Sequence, residues 1–384
     1  MIEPEHAILA PSSAEMWGPH GCPASVAMQQ RQPPQEETEE NREGTAAHWL
    51  LEQVLLKLTV PADAIAPNGV PINDEMREAI QELVTDVNDT LKSCQSGDYF
   101  QVEQRVAAPN MIHPENWGTP DVFFVQHSRK TLHIWDFKYG HRFVDVLDNW
   151  QLVDYAACII ESEGITDWRD WTFTFTIAQP RCYARDELGG TLREWFTDGA
   201  RLALMFDQLR AAAASAMAPD ALCKVGSYCL DCLASWDCEA LQRAGGNVMA
   251  VTGRQTSLGM EPAQIGLELA MRQDGLKLLE AQIKALETRA QMLINQGSNV
   301  PRFKVGYGES RTVWAKDKQA EAAQLVQMFG IDVQLGVAIP TPAQCIKQGV
   351  DATVITPYTT KNPAAQKLMR VSDKTAVKVF GRRD

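Results

Sequence analysis

The chain has 384 residues, 45% hydrophobic and 22% charged, which is ordinary for a soluble globular protein and enough for two domains. No run approaches the roughly 18 uninterrupted apolar residues of a membrane-spanning helix, and Met1-Ile2-Glu3-Pro4-Glu5-His6 has no basic stretch ahead of an apolar core, so a cytoplasmic protein is expected. A net charge of −13 argues against nonspecific coating of nucleic acid, yet residues 297–384 carry 13 Lys+Arg and 7 Asp+Glu against 23 and 42 in residues 1–296. A basic tail beside an acidic body fits local phosphate contact, and it also fits an ordinary solvated surface.

Residues 12–31 read as a helix, capped by Ser12-Ser13. Gln32-Pro33-Pro34 and the acidic run 36–43 read as a solvated link. A second helix is expected from Gly44-Thr45, with Ala46, Ala47, Leu50, Leu51, Val54, Leu55 and Leu58 at helical spacing. Pro61 and Pro67-Asn68-Gly69 break it, and another helix is expected over 74–94. The period then changes. Tyr99–Ala107 alternates as a strand, and Val122–Val125 and Leu132–Phe137 flank the polar turn Gln126–Lys130 as a hairpin. Helix is expected over Asp148–Ser162, strand over Trp171–Ala178 and helix over Thr197–Ala216. That order predicts an α/β fold, a mixed sheet flanked by helices.

A composition change near 250–260 divides the chain into residues 1–250 and 251–384. The second part reads as an α+β appendage: a long helix over 262–296, a small hairpin of Arg302–Val305 with Arg311–Trp314, a helix near 316–329 and a basic tail. Its helix and hairpin suit a grip on nucleic acid, a partner contact or an oligomer contact, with Lys304, Arg311, Lys316 and Lys318 the first residues to test and a solvated surface on a packing module the plainer reading.

The chemistry concentrates at Gly118-Thr119-Pro120-Asp121 and Asp136-Phe137-Lys138. Asp121 and Asp136 end adjacent strands, fifteen residues apart, so the hairpin brings them side by side. Two carboxylates suit a hard cation such as Mg2+ or Mn2+, which metal-assisted phosphodiester hydrolysis requires. Lys138 shares a strand face with Asp136, where its ammonium can orient water or neutralise charge on the phosphate. Phe137 points into the core, but its backbone carbonyl is available to the metal. His48, on an early helix, is a further candidate ligand, and Glu103 a further carboxylate. Gln151 and Tyr155, an i, i+4 pair, face one way and can grip a phosphate or base.

Cys223, Cys229, Cys232 and Cys238 crowd into sixteen residues, which points to a metal site rather than disulfides. Cys229, Cys232 and Cys238 give three ligands. The fourth is either the local Cys223, which would suit tetrahedral zinc, or the distant Cys22. Cys94, Cys158, Cys182 and Cys345 read as ordinary buried cysteines.

Gly44…His48, Pro120-Asp121, Asp136-Phe137-Lys138 and Gln151…Tyr155 together resemble the RecB-type branch of the PD-(D/E)xK nucleases over about residues 1–240, and within it a group of phage and prophage proteins. The resemblance implies a restriction-endonuclease-like fold, with His48, Asp121, Asp136 and the Phe137 carbonyl as metal ligands. It implies Lys138 as the catalytic lysine and Gln151 and Tyr155 as DNA contacts. One cysteine before the nuclease core and three after it are similar to the iron–sulfur nucleases of the AddB and CRISPR-adaptation type. This favours a [4Fe–4S] cluster on Cys22, Cys229, Cys232 and Cys238, with Zn2+ and Cys223 as alternatives. The expected activity is a metal-dependent deoxyribonuclease, an exonuclease of phage DNA recombination or processing, with DNA and a phage recombination or annealing protein as partners. The competing readings are a non-cleaving nucleic-acid-binding or assembly protein on the same fold, and a zinc-stapled regulatory module.

Overall fold

The computed structural model describes residues 7–32, 37–182, 189–252, 259–307, 312–315, 318–331, 340–361 and 366–370. It divides into two units, Met1–Gln282 and Ile283–Asp384, with the division inside one long helix. The composition change at 250–260 falls largely on residues 253–258, outside the described residues.

The first unit begins with a 3-10 turn at Pro11–Ser13 and the short helices α1 (Ala14–Trp17) and α2 (Ser25–Gln29). The single helix expected over 12–31 is therefore broken. Gly18-Pro19 and Gly21-Cys22-Pro23 fold the chain back so tightly that a Cβ on Gly21 would lie 2.3 Å from the Met16 carbonyl oxygen. Helix α3 (Glu39–Leu55) starts inside the acidic run expected to be a link. Thr38 caps it by accepting from the Asn41 N–H, and Glu39 and Glu40 suit the positive end of the helix. Helices α4 (Asp74–Ala79, capped by Asn73) and α5 (Gln81–Leu91) occupy the expected 74–94 span.

Strand β1 (Tyr99–Val102) stops earlier than expected, because Glu103 turns the backbone left-handed at φ 49°; pairing resumes in β2 (Val106–Ala107) with β3 (Trp117–Gly118). The expected hairpin is present as β4 (Val122–Gln126) and β5 (Thr131–Phe137). Helix α6 (Trp150–Ser162), capped by Asn149, leads to β6 (Thr172–Ala178), which runs parallel to β5. A strand the alternation did not reveal, β7 (Leu192–Asp198), pairs with β6 and takes Thr197 from the expected helix. Asp198 then caps α7 (Gly199–Ala216).

The result is a mixed five-stranded sheet, β1-β4-β5-β6-β7, antiparallel except between β5 and β6. Phe123, Val125, Leu132, Ile134, Phe173 and Phe175 face the layer of α6 and α7, while Val122, Phe124, Trp135 and Phe137 face α3, α4 and α5. Covered faces on both sides explain why Val122-Phe123-Phe124-Val125 is continuously apolar rather than alternating. The unit continues through α8 (Glu239–Thr252) into α9 (Pro262–Asn295).

The second unit contains β8 (Phe303–Tyr307), β9 (Thr312–Trp314), α10 (Gln319–Met328), α11 (Pro342–Lys347), α12 (Ala352–Ile355), β10 (Thr359–Lys361) and β11 (Gln366–Arg370). The expected hairpin of β8 with β9 is not formed. Each pairs antiparallel with a strand of the tail, β8 with β11 and β9 with β10. A small core of Trp314, Ala322, Val326, Cys345, Val350 and Ile355 forms there. Arg311 and Lys316 lie outside the described residues, and the Lys318 ammonium donates to the Pro357 carbonyl. Among the described residues, no helix is long and apolar enough to cross a membrane.

Candidate active site

The β4–β5 register pairs Val122 with Trp135, so Asp121 and Asp136 face each other at the sheet's end. Both carboxylates are nearly sealed from solvent. Asp121 Oδ2 accepts from the Phe137 backbone N–H at 2.6 Å, and its Oδ1 lies 3.0 Å from His48 Nδ1 of α3. Asp136 Oδ1 accepts from Lys138 Nζ at 3.1 Å and from Gln151 Nε2 at 2.7 Å, and Lys138 Nζ also donates to Gln151 Oε1 at 3.0 Å. Lys138 Nζ is 2.9 Å from Asp136 Oδ2, but that oxygen accepts no well-directed hydrogen bond.

Glu103 joins from the other side. Its N–H donates to the Asp121 carbonyl at 3.0 Å, and ligand atoms of His48, Glu103 and Asp121 lie within 4.8 Å of one another. The left-handed turn that ends β1 is what aims this carboxylate at the site. Tyr155 sits beneath, its hydroxyl donating to the Thr119 carbonyl at 3.2 Å. Gly118 makes room for it: a Cβ there would lie 2.8 Å from Pro11 Cδ and 3.0 Å from Tyr155 Cε1.

The electrostatics are those of crowded carboxylates. Burial and the charge of Asp121 push Glu103 up to about 8. Burial raises Asp136 against the pull of Lys138. Burial also works against the Asp121 anion, but the His48 and Lys138 charges and the Phe137 N–H outweigh it and hold that carboxyl low. Burial disfavours the charged forms of His48 and Lys138, and the neighbouring carboxylates override it and raise both. Three acids converge on one imidazole and one ammonium, an arrangement that a divalent cation would neutralise.

The structure thus brings His48, Asp121, Asp136, Lys138 and Gln151 together, with Glu103 among them. Gln151 bridges Asp136 and Lys138, and Tyr155 is buried with its hydroxyl on the loop ahead of Asp121. The strand motif did not reveal how the following loop is held. Gln179 Nε2 donates to the Gly140 carbonyl at 3.1 Å, its Oε1 accepts from Val144 N–H at 3.1 Å and from Arg193 at 2.8 Å, and Arg142 pairs with Asp231. A buried glutamine at the end of β6 carries no signal in the sequence alone.

Asp231 lies between Cys229 and Cys232. Cys22, Cys223, Cys229, Cys232 and Cys238 lie near enough to influence one another electrostatically, but among the described residues no three of their sulfurs lie within 4.8 Å of one another. Cys22 Sγ accepts from the Lys224 N–H at 3.3 Å, Cys229 Sγ from the Gly226 N–H at 3.5 Å, and the Cys223 thiol donates to Met28 Sδ at 3.3 Å. Burial, then Cys238 and Cys22, push the Cys223 thiol up to about 12; burial and the neighbouring thiols push Cys232 up to about 11. A cation would reverse this and hold them as thiolates. Of the cysteines expected to be ordinary and buried, Cys158, Cys182 and Cys345 are buried. Cys94 is exposed, a correction that follows from its place after the end of α5.

These features define a mixed α/β protein with a carboxylate-rich site where the strands of its central sheet end. The model of a family described as "Protein of unknown function (DUF2800)" matches residues 6–376, and the chain belongs to that family. No curated protein matches it.

Proposed function

We propose that this chain is a divalent-metal-dependent DNA nuclease with a restriction-endonuclease-like catalytic domain, an exonuclease working in phage DNA recombination or processing in the bacterial cytoplasm. One observation carries the reading: the buried carboxylates of Asp121 and Asp136 meet where the strands end, beside the Lys138 ammonium and with Glu103 close to Asp121. Crowded buried carboxylates of this kind fit a divalent cation.

His48, Asp121, Asp136 and the Phe137 carbonyl would hold Mg2+ or Mn2+, with Glu103 beside them. When bound, the cation supplies a Lewis acid for the scissile phosphate and lowers the pKa of an attacking water. Lys138 stays protonated at neutral pH and places positive charge where the phosphate gains negative charge. Gln151 fixes Lys138 and Asp136 relative to each other, so the ammonium loses no entropy in reaching its position. His48, raised by Asp121, must give up its proton before it can ligate, so metal affinity rises with pH through its titration. Gln151, partly exposed beside Asp136 and Lys138, is the candidate DNA contact of the helix pair, Tyr155 acts beneath it by holding the Thr119 loop, and Lys304 and Lys318 are further candidate contacts. Cys22, Cys229, Cys232 and Cys238 would hold a [4Fe–4S] cluster that ties the N-terminal segment to the end of the domain, with Cys223 able to replace Cys22 and Zn2+ the alternative metal. A phage annealing protein is the partner this role calls for.

The test is cleavage of linear and circular DNA in Mg2+ or Mn2+ by the wild type beside Asp136→Asn and Lys138→Ala. Cleavage by the wild type alone supports the proposal. Equal behaviour of all three overturns it and leaves a binding or assembly role. A brown anaerobic preparation carrying iron and sulfide would support the cluster; a colourless protein with stoichiometric zinc would reject it.

A further inference from the structure

A second convergence of ligand groups lies on the sheet face that α3, α4 and α5 cover, away from the α6 face to which Asp136 points. It is built from Asp86 of α5, His133 of β5 and Glu194 of β7, with one ligand atom from each within 4.8 Å of the others. These residues come from three separate elements, and each is oriented by a neighbour outside the set. Trp135 Nε1 donates to Asp86 Oδ2 at 2.7 Å. His133 stacks on Trp135 with ring centroids 3.5 Å apart, and its Nε2 is 2.7 Å from Thr176 Oγ1. Thr176 is fully buried and lies beside Glu194, whose carboxylate it favours against the effect of burial.

The Thr176 hydroxyl can accept from a His133 Nε2–H, which leaves Nδ1 with a lone pair, or donate to a bare Nε2. One ring nitrogen of His133 and one carboxylate oxygen each from Asp86 and Glu194 converge. Among the described residues, no lysine or arginine ion-pairs with Asp86 or Glu194. A neutral imidazole that donates its other N–H to an oxygen is the form in which histidine binds metal.

We propose that Asp86, His133 and Glu194 form a second metal site, separate from the candidate active site, that takes a divalent transition-metal ion, Zn2+ by preference. An imidazole with two carboxylates suits Zn2+ and does not suit Mg2+, whose ligands are oxygens. Three protein ligands leave one position for water, and the exposed side of Glu194 lets the ion in. Bound there, it clamps α5 and the edge strand β7 to the centre of the sheet.

The experiment is zinc titration by calorimetry of the full chain in an Asp121→Asn/Asp136→Asn background, which removes the principal carboxylates of the other site. The cysteines contribute equally to every variant, so differences report the new site. Adding Glu194→Gln or His133→Gln should weaken one equivalent of zinc binding by about tenfold or more. Glu194→Gln is nearly isosteric at an exposed position, so its melting in chelator should match the parent and exclude misfolding. Zinc-edge anomalous scattering from soaked crystals should place a peak among Asp86, His133 and Glu194. Identical isotherms in parent and variants, or no peak at these residues, overturns the proposal. Either result is independent of whether the protein cuts DNA.

Discussion

The sheet-end carboxylates and the cysteine group are held in opposite ways. Asp121 and Asp136 are set by a β-ladder whose register, Val122 with Trp135, leaves them no choice of position, and each has hydrogen-bond partners from the protein itself. The cysteines sit on loops and single 3-10 turns, Ser227–Leu230 and Ser235–Asp237, and reach Cys22 across two hundred residues of sequence. A site built on regular structure keeps its geometry when its ligand leaves. A site built on loops depends on its ligand for its geometry.

The largest expected effect tests the loop side. Cys229→Ser removes a buried thiol from the cysteine group. If the group binds a structural metal, about 10 kcal/mol of binding free energy acts as folding free energy, so the variant should lose its cooperative thermal transition or lower it by tens of degrees. A variant melting with the wild type would show that the cysteines carry no structural metal. Asp136→Asn tests the other side. If the chain is a nuclease, the substitution should lower DNA cleavage at least about a thousandfold, roughly 4 kcal/mol of transition-state stabilisation, while the melting midpoint falls by only a few degrees, because Lys138 loses one carboxylate but keeps Gln151 and the nearby Asp121 charge. A fall in midpoint as large as that of Cys229→Ser would break the contrast.

The same contrast explains what could be read in the sequence. Ile134-Trp135-Asp136-Phe137-Lys138 was legible because strand alternation fixes side-chain direction, and Gln151 and Tyr155 because helical spacing does. The N-terminal segment was not. Its apolar residues mimic a helix, and only the close turns at Gly18 and Gly21 show that it folds back. Strand β7 escaped because Leu192-Arg193-Glu194-Trp195 carries charges that an edge strand tolerates but that a search for apolar runs does not favour. Strands β8 and β9 read as a hairpin because they are neighbours in the chain, whereas their partners lie more than forty residues on. Asp86, His133 and Glu194 belong to no motif, since their proximity is purely tertiary.

Between the two regions lies the joint where the N-terminal segment meets α6, and smaller effects should appear there. Gly118→Ala would press a methyl group against Pro11 and Tyr155, at 2.8 and 3.0 Å. The expected cost is about 1–3 kcal/mol, seen in denaturant unfolding, with a loss of cleavage as the Thr119–Asp121 loop shifts. An unchanged midpoint would mean that this segment yields freely and that the joint does not transmit strain.

The subtlest test is a pH dependence in the same joint. Asp154 is fully buried in α6, where its Oδ2 accepts from Asn116 Nδ2 at 3.0 Å; the same amide donates to the Leu9 carbonyl at 2.8 Å and so fastens the N-terminal segment. Burial pushes the Asp154 carboxyl up to about 8, above its unfolded value near 4. Between these two values the folded state holds a proton that the unfolded state has released, so stability is fully present below about pH 4 and is lost as pH rises toward 8. Asp154→Asn cannot titrate. It should flatten that slope and raise the melting midpoint at pH 8 by about 3 °C relative to wild type, with little difference at pH 4. Parallel wild-type and variant curves across that range would show that Asp154 is not the group that makes the joint sensitive to alkali.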